Sequence, residues 1–177
     1  IEEGICPKKI LKTGNTVVDA LRIAEKKKLN MKVIISEIGK KIFQDINENP
    51  FLLLTVHRRE NHGRKLTDIC EAIKSFSYKS KTRILCPIHP NPDVYLKIKK
   101  NFLNQKRIYL VNPLSYQTII WVMKKCKFIV SDSGGLQEEA PSFNKRVIIL
   151  RDKTERPEIL DCGLGKISGT NPSKLLK

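Results

Sequence analysis

The stretch VSDSGGLQEEAPSF, residues 130–143, places two adjacent glycines one helical turn before a pair of carboxylates. Ser133, Gly134 and Gly135 follow a short apolar run, and a helix is predicted to begin at Leu136. A strand, a glycine turn and a helix N-terminus leave backbone N–H groups unpaired and pointing outward, which makes a site for an anion. Glycine also lets the backbone approach a phosphate closely.

The helix predicted after these glycines carries Glu139, four residues beyond Gly135 and on the same face. A carboxylate in this place can accept hydrogen bonds from ribose hydroxyls, so the stretch predicts a nucleotide site rather than a bare phosphate site. Two alternatives stay open. The glycines could serve a tight turn that needs positive φ, and Glu138 and Glu139 could merely complement the helix dipole.

Three further stretches carry residue types that suit phosphate binding or proton transfer. HRREN, residues 57–61, directly follows an apolar run. Its arginines suit phosphate or carboxylate, and His57 could donate to a phosphate or move a proton, although a solvated loop is the alternative. IHPNP contains His89, which is predicted to be a structural loop histidine unless it faces His57. TERPE contains Arg156 between two acids, which by itself indicates a surface salt-bridge cluster.

Apolar runs alternate with amphipathic runs along the chain, and this alternation supplies the elements that position these residues. It predicts an α/β fold with a Rossmann-like parallel sheet flanked by helices. Strands are predicted at 51–56, 82–88, 107–111, 127–130 and 146–150, with a weak strand at 8–13 and a short one at 165–168. Helices are predicted at 17–28 (capped by Asn15 or Thr16), 66–76, 93–102, 115–125, 136–140 and 155–161, and from 172 onward.

The chemistry-bearing stretches at 57–63, 89–93 and 131–135 each follow one of the predicted strands. Because ligands of open parallel sheets bind at the carboxyl ends of the strands, these stretches are predicted to meet at one edge. The dinucleotide pattern G-x-G-x-x-G and the Walker A pattern are both absent from the sequence. The predicted site is therefore a nucleotide site of another kind.

Composition bounds the class of protein and its partners. The 177 residues carry a net charge of +16, but the lysines are scattered and aromatic residues make up only 6%. A solvated basic surface is therefore favoured over a nucleic-acid interface. No apolar run approaches the ~20 residues of a membrane span, so no membrane partner is predicted. The five cysteines are widely spaced and never form C-x-x-C, which argues against a disulfide framework or a zinc site and predicts a cytoplasmic location.

Five stretches together resemble those of the non-hydrolysing UDP-N-acetylglucosamine 2-epimerases, in the same order and over nearly the whole chain. They are TGNTVVDAL at 13–21, TVHRREN at 55–61, PIHPNP at 87–92, SDSGGLQEEAP at 131–141 and LRDKTERPE at 150–158. The resemblance implies the GT-B architecture, in which two Rossmann-like domains hold the substrate in the cleft between them. It implies that residues 1–30 are the tail of the N-terminal domain, 31–50 a linker and 51–177 the C-terminal UDP-binding domain, with its last helix truncated.

The resemblance also implies roles for individual residues. Residues 133–135 are expected to hold the diphosphate and Glu139 the ribose, whereas Arg156 and His57 are expected to line the UDP and sugar side of the cleft. His57 is also the catalytic candidate.

In regulated bacterial members of this family, Arg58, Glu60 and His89 would help to bind a second, activating UDP-sugar. Ile119 is a departure from the pattern, since some members place an aromatic residue there beside the uracil.

The implied reaction inverts C2 of UDP-N-acetylglucosamine by elimination and re-addition of UDP, giving UDP-N-acetylmannosamine, with no metal or redox cofactor. The resemblance implies that carboxylates of the N-terminal domain move the C2 proton and that the complete protein is a homodimer. Two alternatives stay open. The chain could be an inactive or binding-only UDP module from a split or degraded gene, or it could serve an epimerase of a related deoxygenated UDP-sugar.

Overall fold

Six short strands form one all-parallel sheet in the computed structural model, which describes residues 4–11 and 13–171. The strand order is β3-β2-β1-β4-β5-β6, the order of the dinucleotide-binding Rossmann fold. The α/β class predicted from the sequence is therefore confirmed. The strands are β1 (Phe51–Thr55), β2 (Arg83–Pro87), β3 (Ile108–Val111), β4 (Ile129–Ser131), β5 (Val147–Ile149) and β6 (Gly165–Ile167).

Eight α-helices in the described residues connect and cover these strands. Asparagine side chains cap three of them: Asn15, Asn30 and Asn91 each accept a hydrogen bond from a backbone N–H in the first turn, which stabilises the start of a helix. The helices are α1 (Thr16–Lys26), α2 (Met31–Ile38), α3 (Lys40–Glu48), α4 (Arg64–Ser80), α5 (Pro92–Phe102), α6 (Tyr116–Lys125), α7 (Gly134–Glu139) and α8 (Glu158–Asp161).

The sheet is buried on both faces, because alternate side chains of its central strand enter two separate apolar clusters. Phe51 and Leu53 of β1 pack in one cluster with residues of α1, α2, α3 and α6. Leu52 and Leu54 pack in the other with residues of α4 and α5. A strand buried on both sides needs a continuous apolar run, which explains why FLLLTV is so easily recognised in the sequence.

The weak strand predicted at residues 8–13 is wrong for the residues that the structure describes. Residues Pro7–Lys9 form a single 3₁₀ turn. Ile10 and Leu11 follow it with 46% and 85% of their surface exposed, so their apolar side chains have no sheet face to pack against. The helix predicted from residue 172 onward lies outside the described residues.

The segment predicted to be a linker, 31–50, forms the helices α2 and α3, which pack on the sheet. Ile34 and Ile46 are buried in the same cluster as Leu21 of α1. The Phe43 ring stacks on Trp121 of α6 with 5.0 Å between ring centroids. The sequence hides these helices because Gly39, with a φ of 90°, interrupts the apolar pattern after eight residues. The domain boundaries at residues 30 and 50 stay a prediction.

Asp45 attaches α3 to the amino end of the sheet. Its carboxylate accepts two hydrogen bonds from the Arg83 guanidinium, at 3.0 Å each, and others from Tyr109 Oη at 2.5 Å and Asn49 Nδ2 at 2.9 Å. The Arg83 hydrogen bonds outweigh partial burial and hold the pKa of Asp45 below its ordinary value. The network therefore requires the ionised carboxylate.

We expect Asp45→Ala to lower the free energy of unfolding by about 1–2 kcal/mol, since three donors lose a charged acceptor that is only partly screened by solvent. Urea denaturation followed by circular dichroism measures the change. Glu48→Ala, an exposed acid on the same helix, is the matched control and should cost less than about 0.5 kcal/mol. Equal effects of the two variants would contradict the anchoring role.

Candidate functional site

The site lies where the strand order reverses, at the carboxyl ends of β1 and β4. These neighbours pair in parallel with Thr55 opposite Ser131, and the loops that follow them start at Val56 and Asp132. The connection from β1 runs through α4 on one face of the sheet, and the connection into β4 runs through α6 on the other. Connections that diverge in this way leave a crevice between them, which is the usual ligand site of such folds.

A cleft of about 400 Å³ opens at this edge. Its polar lining includes His57, Ser133 and Glu139, three of the residues predicted from the sequence, together with Tyr116. Its apolar lining consists of Val56, Pro87, Ile88, Pro90, Pro113, Leu114, Ile119 and Leu136. A concave site with apolar walls and a few converging polar groups is typical of small-molecule binding.

The two glycines form the first turn of α7 instead of a separate turn before it. Ser133 is the N-cap, and its Oγ accepts from the Leu136 N–H at 3.5 Å. Neither Gly134 nor Gly135 has a positive φ, so the alternative of a tight turn that needs positive φ is wrong. The sequence places the helix start two residues late because glycine is a poor helix former.

Two guanidinium groups lie in van der Waals contact range of the Gly134 position. A Cβ atom built there would lie 3.5 Å from Arg58 Nη2 and 3.6 Å from Cζ and Nη2 of Arg156. The Arg58 Nε atom is buried and has no hydrogen-bond partner among the described residues. Two cations therefore converge on the N-terminal end of a helix, where the backbone also favours negative charge.

Arg156 is held at this place by Glu138, which accepts a hydrogen bond from its Nε. Asn15 also donates to Glu138, at 3.1 Å, and these hydrogen bonds, Asn15 first, hold the pKa of Glu138 below its ordinary value. Nη1 of Arg156 also lies 3.5 Å from Oε2 of Glu155. The salt-bridge cluster that TERPE indicates does form, and it forms beside the glycines.

Gln137, which the sequence analysis did not single out, connects the TERPE loop to α7. Its side chain donates to the Ser133 carbonyl at 3.1 Å and accepts from Thr154 Oγ1 at 2.5 Å. Thr154 Oγ1 in turn accepts from the Arg156 backbone N–H at 3.1 Å. The place of Gln137 inside SGGLQEEAP, between the glycines and the two glutamates, is the sequence signal that could have found it.

Glu139 is buried, with 9% of its surface exposed. Tyr116 Oη donates to its Oε1 at 2.9 Å. Burial, helped by the neighbouring Glu138 charge, raises the pKa of Glu139 despite this hydrogen bond. Burial and the adjacent carboxylate likewise raise the pKa of Tyr116 to about 12, which keeps its hydroxyl a donor. Tyr116 was missed in the sequence because its pairing spans 23 residues and two separate elements.

His57 is paired with Asp132, a further residue to which the sequence analysis assigned no role. Nδ1 of His57 lies 3.0 Å from Asp132 Oδ1. The carboxylate also accepts from the backbone N–H groups of His57 and Arg58 and from Asn61 Nδ2. Burial opposes ionisation of Asp132, but these donors prevail and its pKa lies below the ordinary value.

His89 faces His57. The two rings stack with 5.5 Å between their centroids and an angle of 18° between their planes. The Asn91 backbone N–H donates to Nδ1 of His89 at 3.2 Å. His89 also lines the cleft, and a binding role for it stays a prediction.

Glu60 is engaged elsewhere. Arg151 donates to it at 2.7 Å and also holds Glu155 through two hydrogen bonds of 2.7 and 2.9 Å. Three described residues, Arg58, Glu60 and His89, were expected to bind a second UDP-sugar. Of these, only His89 lines the cleft. The expected second UDP-sugar site therefore stays a prediction.

Comparison with known proteins identifies relatives of the whole chain. The family model for UDP-N-acetylglucosamine 2-epimerase matches residues 1–177. The UDP-N-acetylglucosamine 2-epimerase of Campylobacter jejuni is 42% identical over all of this chain and 47% of its own length. The enzyme of that name from Escherichia coli K12 is 33% identical, again over all of this chain and 47% of its own length. The chain thus spans about half the length of the curated relatives it matches.

Solved structures agree with these relatives. A Neisseria meningitidis UDP-GlcNAc 2-epimerase bound to UDP-GlcNAc superimposes with a TM-score of 0.89 at 35% identity, over 99% of this chain and 47% of that one. A Methanocaldococcus jannaschii UDP-GlcNAc 2-epimerase in complex with UDP-GlcNAc and UDP gives 0.82 at 33% identity, over 99% and 48%. The match along the whole chain, the shared fold and the motif residues gathered at one cleft together place this chain in the UDP-N-acetylglucosamine 2-epimerase family.

Proposed function

We propose that this chain supplies the UDP-binding half of an enzyme that interconverts UDP-N-acetylglucosamine and UDP-N-acetylmannosamine. The observation that carries the proposal is the convergence of the Arg58 and Arg156 guanidinium groups on Gly134, at the edge of a cleft lined by Ser133 and Glu139. Cations and N–H donors suit a diphosphate. A buried carboxylate one helical turn away suits the ribose hydroxyls.

This half of the enzyme would act electrostatically. When the bond between C1 and UDP breaks, negative charge builds on the departing diphosphate, and preorganised donors stabilise that charge. Gly134 and Gly135 would supply backbone donors and Ser133 a hydroxyl, since the Ser133 N–H already donates to Ser131 Oγ. Arg156 would supply a positive charge fixed by Glu138. His57 would face the sugar side as the catalytic candidate. The reaction as proposed uses no metal or redox cofactor.

The proposed partners are a UDP-sugar and an N-terminal Rossmann-like domain that completes the GT-B cleft and carries the general acid–base groups. In the complete protein, a second copy would form a homodimer. Nucleic acid is not a proposed partner, since the lysines do not form a single cluster in the sequence.

The cytoplasmic location stays a prediction from the five cysteines, all of them free thiols within the described residues. Among the described residues, no helix is long and apolar enough to cross a membrane.

Binding of UDP to the 177-residue chain tests the proposed function. Isothermal titration calorimetry should detect weak binding of UDP, and no binding even at millimolar UDP would contradict the proposal. Binding of UDP without any activity in the completed enzyme would favour the binding-only module instead.

We expect Glu139→Ala to weaken UDP binding by about 1–3 kcal/mol, because charge-assisted hydrogen bonds to the ribose are lost. Calorimetry with UDP and with its 2′-deoxy analogue measures the loss and assigns it to the sugar. Glu158→Gln, an exposed acid at the start of α8, is the matched control and should leave binding unchanged. Equal binding of UDP by Glu139→Ala and the parent chain would show that the ribose assignment is wrong.

A further inference from the structure

A carboxylate with no exposed surface lies at the centre of the site, directly after β4. Asp132 is 0% exposed, and nothing in the sequence assigned it a role. It follows Ser131, whose backbone pairs with Thr55 of β1. From this position Asp132 reaches across the switch point into the loop that carries His57. A fully buried acid is rare unless it is paired, so its partners should explain its presence.

Within the described residues, the hydrogen-bond partners of the Asp132 carboxylate belong to one short loop, residues 57–61. Its Oδ1 lies 3.0 Å from His57 Nδ1. Its two oxygens also accept from the His57 backbone N–H at 3.1 and 3.0 Å, the Arg58 backbone N–H at 2.9 Å and Asn61 Nδ2 at 2.9 Å. The carboxylate thus holds both the backbone and the ring of the same histidine.

We propose that Asp132 is the positioning residue of this site: it fixes the ring of His57 with Nδ1 protonated, so that Nε2 is the nitrogen available to the bound substrate. The proposal rests on the proposed function for the identity of that substrate, a UDP-sugar. The contact between the two side chains does not depend on it.

The chemistry of a carboxylate determines which ring nitrogen carries the proton. An ionised carboxylate can only accept hydrogen bonds, so the nitrogen that faces it must be the donor. In a neutral imidazole the other nitrogen, Nε2, then holds the free electron pair. The stacked ring of His89 covers one face of His57 and restricts rotation away from this orientation. His57 lines the cleft beside Ser133.

A fixed Nε2 serves either function that His57 could have here. As an acceptor it could take a proton from the substrate. As an imidazolium it could donate to a phosphate oxygen, with its charge stabilised by the carboxylate on the opposite nitrogen. An aspartate that fixes the tautomer of a catalytic histidine is a recurring arrangement in enzymes.

A purely structural role is the alternative, because Asp132 also holds the loop backbone. Asn61 offers the matched comparison. It is 1% exposed, donates to Asp132 and to the Leu150 carbonyl at 3.0 Å, and braces the same loop. Among the described residues, the Asn61 side chain donates to Asp132 and Leu150 and makes no hydrogen bond to the His57 ring. A change confined to the loop scaffold should therefore appear in an Asn61 variant as well, whereas a change in the ring should not.

The test is ¹⁵N NMR of the ring nitrogens in the 177-residue chain without ligand, which is tractable because the sequence has only three histidines. His57→Gln assigns the signal. At a pH where the imidazoles are neutral, the parent chain should show His57 protonated at Nδ1. In Asp132→Asn the side-chain amide can donate to Nδ1, and the proton should move to Nε2. In Asn61→Ser the proton should stay on Nδ1.

Three results would overturn the proposal. The first is a parent chain with His57 protonated at Nε2, which needs no variant to fold. The second is an Asp132→Asn chain whose His57 tautomer is unchanged. The third is the same shift in Asn61→Ser as in Asp132→Asn, which would make the effect one of the scaffold. Calorimetry with UDP on the same samples tests the proposed function separately. The NMR experiment reads the His57 tautomer without any nucleotide present, so failure of the tautomer proposal and failure of the proposed function are distinguishable.

Discussion

The 177-residue chain, incubated with UDP-N-acetylglucosamine in deuterium oxide, should leave the C2 hydrogen of the sugar unexchanged. Epimerisation needs one group to remove the C2 proton and another to return a proton on the opposite face. Each acid near the described cleft is already engaged. Glu139 pairs with Tyr116, and Glu138 is held by Arg156 and Asn15. Asp132 is buried against His57, and Glu60 accepts from Arg151.

His57 is the one group for which we propose proton chemistry in this half, and a single imidazole cannot serve both faces of the sugar ring. We therefore expect turnover and exchange to require an N-terminal half, fused or supplied as a separate chain. Proton NMR of the C2 position is the measurement, with the N-terminal half alone as the control. Exchange by the 177-residue chain alone would place the proton-transfer group within it. No exchange with both halves present would favour the binding-only alternative.

Asp132→Ala should lower the free energy of unfolding by about 3–5 kcal/mol, the largest effect on stability that we expect from a residue of the site. The substitution removes the acceptor of two backbone N–H groups and of Asn61 Nδ2. Buried donors left without an acceptor cost about 1–3 kcal/mol each, and water entering the vacated space offsets part of that loss. Urea denaturation near neutral pH measures the difference.

Asp152→Ala is the matched control, since this aspartate has 79% of its side chain exposed and one ion pair, 3.6 Å from Lys65. It should change the free energy of unfolding by less than about 0.5 kcal/mol. A loss below about 1 kcal/mol in Asp132→Ala would show that the carboxylate contributes little to the fold.

The contribution of Asp132 to stability should also depend on pH. Its pKa in the folded chain lies below the ordinary value, since the donors from the loop after β1 outweigh burial. The unfolded chain therefore binds a proton more readily, and the stabilisation is present above the ordinary aspartate pKa of about 4 and is lost as the pH falls through the folded value. The gap in stability between the parent and Asp132→Asn should shrink in acid. A gap that widened in acid would contradict this sign.

Much of the fold could be predicted from local pattern. The strands from Phe51 to Ile149 all coincide with apolar runs, because a parallel strand covered on both faces must be apolar throughout. Asn15 and Asn91 marked helix starts through their own side chains, since a cap is a local interaction. The helices α2 and α3 were missed, because Gly39 divides their pattern into pieces too short to recognise.

The residue types of the site could also be predicted, but its pairings could not. By itself the sequence determined the α/β class, the family, the presence of His57 and Ser133 at the ends of strands and that of Glu139 on the helix after β4, since these depend on neighbours along the chain. Only the tertiary structure decided that β1 lies beside β4, and with it that Asp132 meets a ring 75 residues away and that Tyr116 meets Glu139. Local patterns specify elements, whereas the order of strands in a sheet results from packing of the whole chain, and the partners of a buried charge are fixed only when that packing is complete.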